Sequence, residues 1–288
     1  MNHRLKSILF IYLFILTILF SPISAAIHIL YTANINGSIQ NCKCGRNPLG
    51  GLDRLKSFID DFKKNHSQTF VIDGGDFFNS YPFPELNTAM LNAIPYMNYD
   101  IMLPGENVFF ESEKFVNDYF KNNNQRILIS NLKNTGKSHK LFETMDSKIY
   151  IWSYLSKELV GSGNKPNDII LGEPLNGIDQ LSDNAGFHVL AYHGIMSDLN
   201  ILLEKYPQID LVLAAHDQVK GTIEIAGRKI VGTGRDGEVI AIIVLDEKVD
   251  GYDVQIEYQE IGLSLPADPQ IGELIVVYKN KLVSGNTQ

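Results

Sequence analysis

The stretch Phe70-Val-Ile-Asp-Gly-Gly-Asp-Phe77 constrains this chain more than any other. Phe70, Val71 and Ile72 form a short apolar run, the pattern of a strand buried on both faces. Asp73 and Asp76 then stand where the strand gives way to a loop, with two glycines between them. Open α/β sheets place ligands at the carboxyl ends of their strands, and glycine lets the backbone come close to whatever sits there. A carboxylate at such a point is a hard oxygen ligand for a divalent cation. Taken alone, the two aspartates read more readily as helix caps or turn residues. The rest of the chain changes that balance.

The same strand-to-loop event recurs. His28–Thr32 reads as a strand running into the loop Ala33–Ser38. Leu52, Leu55, Phe58, Ile59 and Phe62 have helical spacing, so Gly51–His66 is predicted as an amphipathic helix. A helix over Leu86–Tyr96 follows the Phe70 strand. Asp100–Pro104 is the next strand, Glu111–Asn122 the next helix and Ile127–Asn131 a further strand. Lys148–Leu155 reads as a strand, and Gly161–Pro174 as loop. Strands at Phe187–Ala191 and Asp210–Ala214 flank a helix over Asp198–Tyr206. Thr222–Glu260 is strand-rich, with turns at Ala226-Gly227, Asp236-Gly237 and Asp250-Gly251. A helix over Gln270–Leu282 closes the chain. Such alternation predicts a layered α/β domain, with no internal repeat.

The 288 residues carry a formal net charge of -8. That argues against nucleic acid as a partner, which needs a basic face, but not against small anionic substrates, because a bound metal supplies local positive charge. His3, Arg4 and Lys6, the apolar run Ile8–Phe20 and the small residues Ser21–Ala26 predict a signal peptide over residues 1–26. The expectation is an exported chain, periplasmic or extracellular, forming one domain over 27–288 with no membrane attachment after cleavage. Its cysteines, Cys42 and Cys44, lie one residue apart. A disulfide between them would be strained and easily reduced. The pair reads as a redox element, a metal-ligand pair or a local loop clip.

Polar groups able to bind metals recur at the predicted strand ends: Asn34 and Asn36, then Asp76, Glu106 and Asn107, then His193, then His216 and Gln218. Each alone is weak. Together they fall on one edge of a sheet. The series resembles the calcineurin-like metallophosphoesterases, in particular their exported 5'-nucleotidase-type branch. That branch opens with a strand and Thr-Asn-Asp-Leu-His-Gly, followed by Gly-Gly-Leu and a helix. Asp-x-Gly-Asp, Gly-Asn-His-Glu, Ser-His-x-Gly and Gly-His-x-His or Gly-His-x-Gln come next. All five motifs have counterparts here in order, between Ile27 and Gln218. The resemblance implies a four-layer α/β/β/α sandwich with a two-metal centre. It implies that Asp76 bridges the metals, that His193 and His216 bind the second metal, and that Gln218 binds the first.

The departures matter as much. Asn34 and Asn36 stand where the family has Asp and His, so the first site keeps only Asp76 and Gln218 of its usual ligands. Glu106 or Asn107 takes the place of the metal-binding Asn. Asn107 also occupies the place of the His that protonates or steadies the leaving group, and an amide cannot deliver a proton. Asp76, His193, His216 and either Glu106 or Asn107 still make a three- or four-ligand set suited to Zn²⁺ or Mn²⁺. The expected cofactor is therefore one divalent ion rather than two, unless Cys42 and Cys44 restore the first site. The nucleotidase branch continues into a large C-terminal domain that holds the base; the expectation is a chain without it, to which nucleotide specificity does not transfer. The resulting expectation is an exported metal-dependent phosphoesterase-like hydrolase with an altered site, acting on a small phosphorylated or otherwise anionic substrate. Two alternatives stay open: a non-catalytic binding or scaffold descendant of the fold, or a thiol-redox or sulfur-compound protein using Cys42 and Cys44.

Overall fold

The computed structural model describes residues 26–41, 45–81, 83–133, 139–143, 147–161, 163–167, 169–172, 175, 177–178, 186–248 and 251–285. The expected signal peptide up to residue 25, and the cysteine pair, lie outside the described residues. Among the described residues no helix is long and apolar enough to cross a membrane.

Two sheets face each other. The first has the order β11 (Gly251–Glu260), β10 (Val239–Lys248), β1 (Ile27–Thr32), β2 (Thr69–Asp73), β3 (Ile101–Met102). β1, β2 and β3 are parallel, while β10 runs antiparallel to both β1 and β11. The second has the order β4 (Lys140–Glu143), β5 (Lys148–Leu155), β6 (Phe187–Gly194), β7 (Leu211–His216), β9 (Arg228–Thr233), β8 (Lys220–Ile225). Its four central strands are parallel and its two edge strands antiparallel. Phe70 on β2 meets Phe142 on β4, and Phe187 on β6 meets Tyr252 on β11, so the inner faces pack directly together. β6 is buried along its whole length, which is why its sequence is a continuous run rather than an alternation.

Helices cover both outer faces. α1 (Leu52–Asn65) buries Leu52, Leu55 and Ile59 at helical spacing. Asp53 in its first turn and Lys63 and Lys64 in its last complement the helix dipole. α2 (Pro84–Ala93) begins on a proline, whose fixed φ suits the first helical position. α3 (Glu113–Asn123) is capped by Ser112, whose side chain accepts from Phe115 N–H at 3.3 Å. These helices, α6 (Pro269–Gly285) and the inter-sheet residues share one hydrophobic core. The short α4 (Lys157–Val160) follows β5. A second core lies on the opposite side, where Leu199, Leu202 and Leu203 of α5 (Met196–Lys205) cover Trp152, Leu190, Tyr192 and Val212. The architecture is helices, sheet, sheet, helices, as the resemblance implies.

One predicted strand is corrected. Residues 127–131 form only an isolated parallel bridge, Met102 with Ile127. Leu128 N–H donates to Met102 O in the first sheet, while Ser130 N–H donates to Ser153 O in the second. The segment crosses between the sheets, so neither gives it a continuous ladder. β4, which the sequence did not signal, occupies the edge of the second sheet.

Candidate metal centre

The parallel strands of both sheets bring their carboxyl ends to one edge. β1 leads to Asn34 and Asn36, β2 to Asp76, and β3 to a 3-10 turn over Glu106–Phe110 that starts on Glu106. From the second sheet β6 carries His193 and β7 ends on His216. Asp76, Glu106, His193 and His216 each offer a ligand atom, and these atoms lie within 4.8 Å of one another. Two residues come from each sheet.

The backbone is bent to bring them there. Asn34, Asn36, Asp76, His216 and Gln218 all have left-handed φ, between 52° and 71°. Only three other non-glycine residues among those described do so. Such conformations are costly without glycine and cluster where function needs a side chain re-aimed. Two glycines are obligatory for a different reason. A Cβ on Gly75 would sit 2.5 Å from His193 Nδ1, and one on Gly105 would sit 2.1 Å from Asp76 Oδ1.

His193 is fully buried. Its Nδ1 lies 2.9 Å from Gly74 O, which fixes Nδ1 as the donor and leaves Nε2 aimed into the cluster. Nε2 is 2.5 Å from Glu106 Oε2 and 3.6 Å from Asp76 Oδ1. His216 Nδ1 is 2.8 Å from the other oxygen, Glu106 Oε1. Burial opposes protonation of His193, but Asp76 and Glu106 overcome it and raise its pKa to about 9. The hydrogen bond to Glu106 also raises that of His216. Burial opposes ionisation of Glu106, but its hydrogen bonds to the two imidazoles hold its carboxyl well below the usual range. Burial lifts Asp76 to about 6, with Glu106 adding to the shift and His193 opposing it. A buried carboxylate and a half-buried one thus face two imidazoles, whose protons do the work a cation would do. This donor set, oxygen and nitrogen with one nitrogen anchored from behind, fits a divalent transition metal.

The other sequence candidates sit around this cluster in different roles. Asn34 is 1% exposed and its amide is spent on the backbone. Its Oδ1 accepts from His216 N–H at 3.0 Å, and its Nδ2 donates to Gly234 O at 2.9 Å. Asn36 Nδ2 donates to Asp236 Oδ1 at 3.2 Å. Asn107 donates from its backbone to Asp76 Oδ1 at 3.3 Å, but its side chain donates to Phe78 O at 3.1 Å. Glu106, not Asn107, therefore carries its side chain into the cluster. Gln218 lies on an exposed turn two residues beyond His216. Asp73, fully buried, accepts from Thr32 Oγ1 at 2.9 Å and from Gly75 N–H at 3.1 Å, so it braces the glycine loop. The sequence reading missed the Gly234–Asp236 turn, which contacts both asparagines. Its signal was available: it follows an apolar strand, but it read as a hairpin turn only.

The fold is one shared with solved metallophosphoesterase structures. The particular likeness is to the calcineurin-like and 5'-nucleotidase type. The 5'-nucleotidase precursor of Thermus thermophilus superposes with a TM-score of 0.75 at 12% identity, covering 90% of this chain and 59% of that one. The sulfate thiohydrolase SoxB of the same organism gives 0.73 at 14% identity, covering 87% and 60%. The calcineurin-like phosphoesterase YfkN of Bacillus subtilis gives 0.69 at 13%, covering 92% and 99%. This chain therefore spans about three fifths of the length of the first two. No family model and no curated protein matches it.

Proposed function

We propose that this chain is an exported metal-dependent phosphoesterase-like hydrolase that holds one divalent ion and acts on a small phosphorylated substrate. The observation that supports this reading is the cluster of Asp76, Glu106, His193 and His216 at the joined strand ends, beside Asn34, whose amide oxygen and nitrogen are both already spent. Asp76, Glu106, His193 Nε2 and His216 are the groups that would hold the ion. Such an ion supplies Lewis acidity toward a phosphoryl oxygen. Gly74 O orients His193, Asn34 fixes the His216 backbone, and Asn107 N–H orients Asp76. Neutral amides at Asn34 and Asn36 compete poorly for a second transition-metal ion.

Elemental analysis tests this. The mature chain, with an intact mass beginning at Ile27, should carry about one Zn²⁺ or Mn²⁺, against two in a two-metal site. His216→Ala should remove most of it, and Asn34→Asp with Asn36→His should raise occupancy. Two tightly held ions in the unaltered chain would defeat the one-metal reading. No ion in any of the three proteins would leave the fold without its chemistry and favour a binding or scaffold role. One observation favours a second reading, thiol or sulfur-compound chemistry. Cys42 and Cys44 follow Asn36 closely, and a neighbour in fold is a sulfate thiohydrolase. Thiol titration of the mature chain with and without reductant addresses it.

A further inference from the structure

The two imidazoles reach the cluster through different nitrogens. His193 turns Nε2 inward, with Nδ1 held by Gly74 O. His216 turns Nδ1 inward, against Glu106 Oε1 at 2.8 Å. A ligating imidazole has its ring angle and its tautomer set by the partner of its other nitrogen. For His216 that nitrogen is Nε2, and the side chain that meets it is Asp217, its own neighbour in sequence. Asp217 Oδ1 lies 3.9 Å from Nε2.

Successive side chains on a strand point to opposite faces, so two neighbours meet this way only where the strand is broken. The backbone breaks at His216. Its φ is 71°, and Asp217 N–H donates to Ala215 O at 3.0 Å. A positive φ closed by a bond between residues two apart is the rare, strained form of the γ-turn. It ends the alternation of β7 and brings the two side chains together. Three contacts hold the turn. Asn34 Oδ1 accepts from His216 N–H, Ala215 O accepts from Asp217 N–H, and Asp217 Oδ2 accepts from Met196 N–H, the first residue of α5, at 2.5 Å. The start of α5 thus occupies one carboxylate oxygen and leaves Oδ1 for the imidazole. At 3.9 Å the pair is an electrostatic contact rather than a hydrogen bond. The His216 and Asp217 side chains are 26% and 34% accessible, so solvent screens the pair and its weight falls on orientation rather than stability.

We infer that Asp217 is a positioning residue of the metal centre: its carboxylate faces the outer nitrogen of His216, keeps a proton on Nε2 and so leaves Nδ1 free of one for the cation. The inference rests on the reading above, in which His216 is a ligand. It also sets the two histidines apart. His193 leans on a neutral carbonyl, whereas His216 leans on a charge, which makes its imidazole the more basic donor. The strained turn gains a purpose in this arrangement, since an extended His216 would send Asp217 to the other face.

Zinc is the probe, titrated into the full mature chain in competition with a chromophoric chelator. Long-range proton–nitrogen correlation spectra of the zinc-loaded chain report which nitrogen of His216 carries the proton. Zinc should sit on Nδ1 and the proton on Nε2. Asp217→Ala should weaken zinc binding about tenfold or more, the scale of losing the outer partner of a metal-bound histidine. Asp217→Asn, which keeps the shape and one acceptor oxygen, should recover part of that loss. Melting of the metal-free variants separates positioning from capping. A residue that only caps α5 would lower the metal-free melting temperature and leave zinc affinity unchanged, and that outcome overturns the inference. Zinc found on Nε2 of His216, or on neither nitrogen, also overturns it. Both outcomes leave the chain a metal-binding protein. An unaltered chain that takes up no zinc overturns the inference and the metal reading together. Two zinc ions in the unaltered chain defeat the one-metal reading alone, and the spectra still judge Asp217.

Discussion

His193 is the residue on which the centre turns. It is buried, anchored through Nδ1, and its Nε2 lies against Glu106 Oε2, with burial opposed by Asp76 and Glu106 so that the imidazole holds its proton. A cation must displace that proton and the one on His216. Binding should therefore release protons, and affinity should fall as pH drops below His193's pKa of about 9. The dependence of the binding enthalpy on buffer ionisation measures this directly. A release of no protons between pH 6 and 8 would mean that the imidazoles are not the ligands. Asn107 sets a second expectation. On the proposed phosphoesterase function, no proton can come from its amide, so hydrolysis should favour esters whose leaving group departs as a stable anion. Hydrolysis of an aryl phosphate should outrun that of an alkyl phosphate by far more than an enzyme with a general acid allows, since such an acid contributes roughly 10²–10⁴ in rate. Comparable rates on the two would require a proton donor elsewhere. None of this side-chain detail was legible in the sequence. The residue types at the strand ends could be read. What each amide hydrogen-bonds could not, because the partners of Asn34 and Asn36 lie some two hundred residues away.

At the scale of elements, β2 and its loop repay attention. Asp73 ends the strand with no exposure, and burial lifts its pKa to about 7 despite bonds from Thr32 and Gly75. The unfolded carboxyl titrates near 3.8. Between these values the native chain holds a proton that the unfolded chain has lost, so stability from this group falls as pH rises from 4 to 7. Asp73→Asn removes that titration. In urea titrations of chelated protein, the wild type should lose stability relative to Asp73→Asn across that window. A flat difference would show that the hydrogen bonds, not burial, govern Asp73. The elements themselves were mostly readable, because parallel buried strands appear as unbroken apolar runs between helical periods. Residues 127–131 show the limit. An apolar run announces burial but not which sheet supplies its partners, and here the partners are divided. Lys140–Glu143 shows the opposite limit. A four-residue edge strand with two apolar residues has no pattern to stand out from.

At the scale of the whole molecule, the layers were legible from the alternation and the resemblance, and the neighbours in fold agree with them. The sequence could not say how the two halves of the sandwich are joined at the site. Asp76 and Glu106 belong to the first sheet and His193 and His216 to the second. A bound ion is therefore a clasp across a seam, and its binding energy is also adhesion between two layers. Only the closed sandwich assembles all four ligands, so the ion stabilises the closed state by mass action, by about 2.7 kcal/mol at a hundredfold excess over its dissociation constant. The melting temperature should rise with metal concentration, and His216→Ala should abolish the rise. Amide exchange should slow on β2 and β7 together, since neither layer can open alone while the clasp is shut. Protection confined to one sheet would mean that the ion sits on that layer and leaves the seam free.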